Sequence, residues 1–164
     1  MQQEFKLAQN AILVGERDYE QALDFIIAGA ERELLIFDQD FSKGGYASAA
    51  RHDLLRDFLA KDRRNRLMIV LQDVGYFVAH CPRLQGLLAT FGHAMSVHET
   101  GDEAKALRDS FVVADRRQYL RRFHIDQARF RYALDDAGSA QLLQARFEEL
   151  LQVSDRMAAT RLGL

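Results

Sequence analysis

The stretch Leu34-Leu35-Ile36-Phe37-Asp38-Gln39-Asp40 decides the fold, because its first four residues are apolar without a break. A strand that is apolar on both faces has to be covered on both, which is the mark of a sheet lying between helices. Leu67-Met68-Ile69-Val70-Leu71 repeats the signal further on. Upstream, Tyr19, Ala22, Leu23, Ile26, Ile27 and Ala30 recur at helical spacing, so a helix is expected over Asp18–Ala30 with one apolar stripe. Asp18 and Gln21 read as its N-cap and capping-box partner. Downstream, a Gly44-Gly45 loop leads to a second helix over about 46–61, with Ala47, Ala50, Leu54, Leu55 and Phe58 inward. Leu84, Leu87, Leu88 and Phe91 mark a third helix, ended by Gly92. A weaker strand follows at 94–98.

The C-terminal third reads differently. Phe111-Val112-Val113-Ala114, ending at Asp115, is a strand, and Tyr119–Phe123 is another. Ala128, Phe130, Tyr132 and Leu134 alternate with Arg129, Arg131 and Ala133, which puts one face of a third strand on the core. Short connections make these three a meander. A closing helix over 139–154 turns Leu143, Phe147, Leu150 and Leu151 inward. The expected fold class is α/β: a mixed β-sheet with helices on both faces and strands near 33–38, 66–72, 94–98, 110–115, 118–123 and 128–134. No linker divides the chain, so one domain over 1–164 is expected, its core at about 18–154.

Bulk composition narrows the functional classes. The 164 residues are 48% hydrophobic and 28% charged, with a formal net charge of -2. That balance argues against binding a polyanion through bulk electrostatics. Cys81 is the only cysteine, so an intrachain disulfide and a CxxC metal knot are both excluded. The N-terminus lacks the pattern of a signal peptide, and no run approaches the roughly 18 apolar residues of a membrane span. A bacterial-style cytoplasmic domain without membrane contact is the expectation.

Chemistry-bearing motifs are sparse. Asp38-Gln39-Asp40 after an apolar strand resembles the opening motif of the haloacid-dehalogenase phosphatases. In those enzymes one aspartate attacks phosphorus, its neighbour acts as acid and base, and both sit by magnesium. Here a helix precedes the strand and the later lysine has no counterpart, so an exposed strand-end loop is the preferred reading. His52, His80, His93, His98 and His124 form no HxH, HxxxH or HExxH pattern. No GxSxG, GxGxxG or Walker loop is present, so neither a cofactor nor a metal is expected. Arginines cluster at Arg63-Arg64-Asn65-Arg66 and over Arg116, Arg117, Arg121, Arg122, Arg129 and Arg131. Interleaved aspartates suggest a solvated face, while the guanidinium groups offer an alternative reading as an anion-binding surface.

The stretch Arg108-Asp109-Ser110-Phe111-Val112-Val113-Ala114-Asp115, with Phe147-Glu148-Glu149-Leu150-Leu151 after it, resembles the C-terminal part of one phospholipase D repeat. Ala28–Ile36 resembles its upstream helix and strand, so the likeness spans about 18–154 and is closest to uncharacterised bacterial domains of that kind. In that family the HxKxxxxD motif supplies a histidine nucleophile, a phosphate-holding lysine and a supporting aspartate. The resemblance sets Arg108 at the histidine, Ser110 at the lysine and Asp115 at the aspartate. A permanently protonated guanidinium cannot attack phosphorus. The resemblance therefore implies a single repeat with a degenerate site, catalytically silent and serving as an interaction or anion-binding module. Its candidate residues are Arg108, Ser110, Asp115, Arg121 and Arg122, and its candidate ligands a phosphate-containing molecule or a protein partner. It further implies a homodimer, since single-repeat members pair about a twofold axis, with the Arg108–Asp115 strands near it. Two alternatives stand beside it: a magnesium-dependent phosphoryl-transfer enzyme using Asp38 and Asp40, and a nucleic-acid-associated protein using the meander arginines.

Overall fold

Both decisive runs are interior strands of one sheet. The computed structural model describes residues 6–158. In chain order the elements are β1 (Leu13–Val14), α1 (Glu16–Gly29), β2 (Glu33–Asp38), α2 (Ala49–Lys61), β3 (Arg66–Leu71), α3 (Gly75–His80) and α4 (Pro82–Thr90). They continue with β4 (Met95–Thr100), β5 (Ser110–Ala114), β6 (Gln118–His124), β7 (Gln127–Ala133), α5 (Ala137–Gln152) and β8 (Ser154–Arg156). Among the described residues the strands form one sheet in the order β1-β7-β6-β5-β2-β3-β4-β8. β2, β3 and β4 run parallel, while β5, β6, β7, β1 and β8 join antiparallel.

Successive residues of the central strands enter opposite cores, as the two-residue period of a strand requires. Leu34, Ile36, Leu67, Ile69, Val112 and Leu120 pack with α1, α2 and α4. Leu35, Phe37, Val70, Phe111, Val113 and Tyr119 pack with α5. One face thus carries several helices, and the other carries α5 with the short turn around Ala104. That is the mixed, doubly covered sheet expected from the apolar runs.

Several local readings need correction. α1 starts at Glu16 behind Gly15, whose φ is 123, and has no side-chain cap, so Asp18 lies inside the helix. α2 starts behind Ser48, whose hydroxyl accepts the Arg51 N–H at 3.1 Å. Its buried face is Arg51, Leu55, Phe58 and Leu59, rotated from the Ala47–Ala50–Leu54 line, because Arg51 turns inward to meet Asp24 on α1. The short helix α3 buries only Phe77 and shows no period to read. Edge strands β1 and β8 are two and three residues long, too short to carry an alternation.

The Gly44-Gly45 loop is where backbone freedom matters. Gly44 has φ 85, and a Cβ there would lie 2.9 Å from Leu23 Cδ1. Glycine alone combines that backbone with so close an approach to α1.

Candidate functional site

Strand direction fixes which residues can meet. β5 runs antiparallel to β2 with Phe111 opposite Phe37 and Ala114 opposite Leu34. Ser110 therefore lies beside the C-terminal end of β2, where Asp38 sits. Arg122 stands directly across from Ser110 on β6. Asp115 is at the far end of β5, beside Glu33. The five candidate residues from the sequence are accordingly dispersed. Ser110 and Arg122 come together; Arg108, Arg121 and Asp115 do not join them.

The meeting point is a buried polar cluster under the start of α1. Arg122 is only 1% exposed, and every nitrogen of its guanidinium is engaged. Nη1 and Nη2 donate to the two Glu16 oxygens at 2.8 and 2.7 Å. Nε donates to the His124 carbonyl and Nη2 also to the Ile125 carbonyl. The guanidinium carbon lies 5.0 Å from the centre of the Tyr19 ring, a cation–π contact. Tyr19 Oη is 3.4 Å from Ser110 Oγ. Asp38, also buried, accepts the Phe41 N–H at 2.7 Å and the Asp40 N–H at 3.3 Å. Those bonds hold a tight turn in which Phe41 adopts φ 72.

Electrostatics follow from this packing. The hydrogen bonds from Arg122 hold Glu16 below the usual carboxylate range. Burial pushes Asp38 up to about 6, against the pull of the Phe41 and Asp40 N–H groups and of Arg122. Burial also raises Tyr19 well above an ordinary phenol, so it stays protonated and offers no phenolate to take the Ser110 proton. Next door, Tyr46 stacks on Phe41 at 3.9 Å, and Arg51 lies 4.8 Å over Tyr46 while pairing with Asp24 at 2.8 Å. Chemically the cluster can orient and neutralise charge. It contains no activated nucleophile.

The other sequence candidates have separate roles. Arg108 is exposed, and its Nη1 donates to the carbonyls of Lys105 and Leu107. The Asp115 carboxylate accepts the N–H groups of Glu31, Arg32 and Glu33 at 2.9, 2.8 and 2.9 Å. It ties the β5–β6 turn, where Asp115 and Arg116 both have positive φ, to the loop before β2. Asp115 is thus a backbone clamp, remote from Ser110. Arg121 faces the α5 side and pairs with Asp109 at 3.0 Å. The meander arginines consequently form no single stripe: Arg122 points into one core, and Arg121 and Arg131 face the other way.

Asp40 accepts the Ser42 N–H and hydroxyl at 2.9 and 2.6 Å, so the Asp38-Gln39-Asp40 loop is braced internally. Asp73 sits at the same sheet edge, where its backbone N–H donates to the Gln39 carbonyl. Among the described residues no three His, Cys, Asp or Glu side chains are grouped to hold a metal ion. Burial pushes the Cys81 thiol up to about 11, which leaves it unreactive. No helix among the described residues is long and apolar enough to cross a membrane.

Glu16, Asp24 and Arg51 escaped the sequence reading, and Tyr19 was read only as core. A signal was available: Arg51 recurs with Leu55 and Phe58 at i+4 and i+7. A charge on an apolar helical face implies a buried partner.

Sheet order, strand directions and the closing helix define the phospholipase D fold. The chain is similar to Nuc, a phospholipase D family member from Salmonella typhimurium, with TM-score 0.66 and 11% identity over 90% of this chain and 97% of that one. NucT from Helicobacter pylori is similar with TM-score 0.64 and 12% identity, over 90% and 98%. TrmBL2, an archaeal chromatin protein with a novel mode of DNA binding, gives TM-score 0.67 and 13% identity over 94% of this chain and 56% of that one. At these identities the likeness is one of fold. By sequence the chain belongs to the family described as Domain of unknown function (DUF7931), whose model matches residues 16–162. No curated protein matches it.

Proposed function

We propose that this chain is a phospholipase D-fold binding domain that does not hydrolyse phosphodiesters. The observation that carries the reading is the start of β5. Where the resemblance calls for a histidine and a lysine, Arg108 is turned to two backbone carbonyls and Ser110 is buried against Tyr19. Opposite Ser110, the Arg122 guanidinium is already committed to Glu16. Attack on phosphorus needs a nucleophile of the histidine kind, and a permanently protonated Arg108, a buried Ser110 and a Glu16 whose basicity Arg122 lowers do not supply one.

The test is turnover of bis(4-nitrophenyl) phosphate by purified protein, with and without magnesium. No release of nitrophenolate above buffer is expected in either case. Turnover that persists through purification and disappears in Arg108→Ala or Ser110→Ala would overturn the reading. Magnesium-dependent turnover lost in Asp40→Asn would favour phosphoryl transfer at the Asp38–Asp40 loop instead. Pairing about a twofold axis belongs to the same proposal. Because β5 is interior to the sheet, only its Arg108 end or its Asp115 end can approach such an axis. Light scattering should give twice 18.8 kDa, and a mass of 18.8 kDa would remove the dimer.

A further inference from the structure

Across the sheet from the closed cluster lies a groove of about 320 Å³ between α5 and the β6–β7 pair. Three arginines line it, Arg121, Arg131 and Arg146, and none of its lining residues is acidic. Arg121 and Arg131 stand directly opposite each other in the β6–β7 register, on the same face. Like charges in cross-strand positions repel, so this arrangement is costly unless negative charge lies between them.

The protein itself supplies only part of that charge. Asp109, buried behind the groove, receives Arg146 at 2.6 and 3.0 Å and Arg121 at 3.0 Å. Three guanidinium groups against one carboxylate leave a surplus of two positive charges. Among the described residues no carboxylate lies within ion-pair distance of Arg131, and its buried Nε has no hydrogen-bond partner. The groove also has an apolar wall. The half-buried Phe123 ring lies 5.1 Å from the Arg121 guanidinium and 5.9 Å from that of Arg131. Leu142, at 73% exposed, is the most exposed large apolar side chain among the described residues, and it forms the rim.

We infer that this groove binds a phosphomonoester carrying an apolar body. The dianion would sit between Arg121 and Arg131, where it matches the surplus charge. Guanidinium groups bind phosphate oxygens with paired, charge-assisted hydrogen bonds. The body would cover Phe123 and Leu142, because a small apolar wall beside a few placed polar groups is how small-molecule sites gain orientation. The inference rests on the reading that the domain binds rather than cleaves, and it adds the site and the ligand class.

Isothermal titration with AMP, hexyl phosphate, adenosine and inorganic phosphate tests it. AMP or hexyl phosphate should bind at least roughly tenfold more tightly than inorganic phosphate and adenosine, since both halves of the groove are then used. A preference for AMP would identify a flat body, and a preference for hexyl phosphate an aliphatic one. Arg131→Gln should weaken binding by roughly tenfold or more with an unchanged thermal melt, while Arg129→Gln, outside the groove, should leave it unaltered. Should Arg131→Gln lower the melting temperature, Leu142→Asp on the exposed rim replaces it and should weaken binding as much. The inference is overturned by no heat from any phosphate at millimolar concentration. It is overturned equally by binding that both variants leave intact, or by inorganic phosphate binding as well as AMP. Because phosphodiester turnover is read separately, a failed titration does not touch the non-hydrolytic reading, and observed turnover does not touch the titration.

Discussion

Arg121 and Arg122 are adjacent in the chain and end in opposite surroundings. Arg122 points toward α1, is sealed from water, and engages each guanidinium nitrogen with Glu16 or one of two carbonyls. Arg121 points toward α5, stays 40% exposed on its side chain, and shares one carboxylate with Arg146. The difference teaches that a charged cluster closes when its charges are matched and stays open when charge is left over. On this sheet the closed cluster occupies the edge where the resemblance locates phospholipase chemistry. The open one lies across the sheet, where no motif points.

The sharpest way to break this comparison is to truncate each arginine. Arg122→Ala strands the buried Ile125 carbonyl and the half-buried His124 carbonyl and leaves Tyr19 over a void. It should cost about 3 kcal/mol through lost hydrogen bonds and the cavity, since the half-exposed Glu16 is left solvated. Arg121→Ala, partly solvated and with Asp109 still held by Arg146, should cost no more than about 1 kcal/mol. Urea denaturation measures both; equal losses would erase the distinction between a closed and an open side.

Asp109→Asn probes the open side next. Removing its charge leaves Arg121 and Arg146 without a counter-ion and should cost about 2–3 kcal/mol at neutral pH. Burial alone would raise this carboxyl, but the bonds from Arg146 and Arg121 outweigh it and hold it below its ordinary range. Stability from a depressed carboxyl is present above its unfolded value and is lost as pH falls through the folded one. Wild type and variant should therefore converge in acid. A gap that persists there would mean Asp109 acts through shape alone.

Asp38→Asn is a smaller effect than the loss of Arg122 or of the Asp109 charge and has the opposite sign. With Asp38 raised to about 6 by burial, the folded state holds its proton more tightly than the unfolded chain. Its contribution is favourable in acid and is lost as pH climbs through about 6. Asparagine keeps an acceptor for the Phe41 N–H without the charge. The variant should be more stable by about 1–2 kcal/mol at pH 8 and no more stable at about pH 4. Urea melts at the two pH values decide, and a loss at pH 8 would show that Arg122 needs the Asp38 charge.

Much of the fold was legible because burial on both faces leaves a mark in the chain itself. Leu34–Phe37 and Leu67–Leu71 have to be interior strands, and the Phe130–Tyr132 alternation has to lie on a half-covered one. The six strands expected from such patterns recur in β2 to β7 to within a residue or two of their expected bounds. β1, β8 and α3 were not legible, because elements of two, three and six residues carry no period.

The candidate site was less legible, for a different reason. The sequence by itself fixed which residue types occupy Arg108, Ser110 and Asp115, and hence that no histidine stands at the start of β5. It could not say that Asp115 would face away as a clamp on three backbone N–H groups, nor that Glu16 would reach Arg122. Those depend on α1 crossing β6 and on β5 running antiparallel to β2. Nor could it separate Arg121 from Arg122 by function, since both read as one basic cluster. The two-residue pleat of β6 sends neighbours to opposite faces, and what packs on each face decides whether a guanidinium is sealed or left with charge to share. Local pattern travels along the chain, whereas partners separated by 106 residues, as Glu16 and Arg122 are, exist only once the sheet has formed.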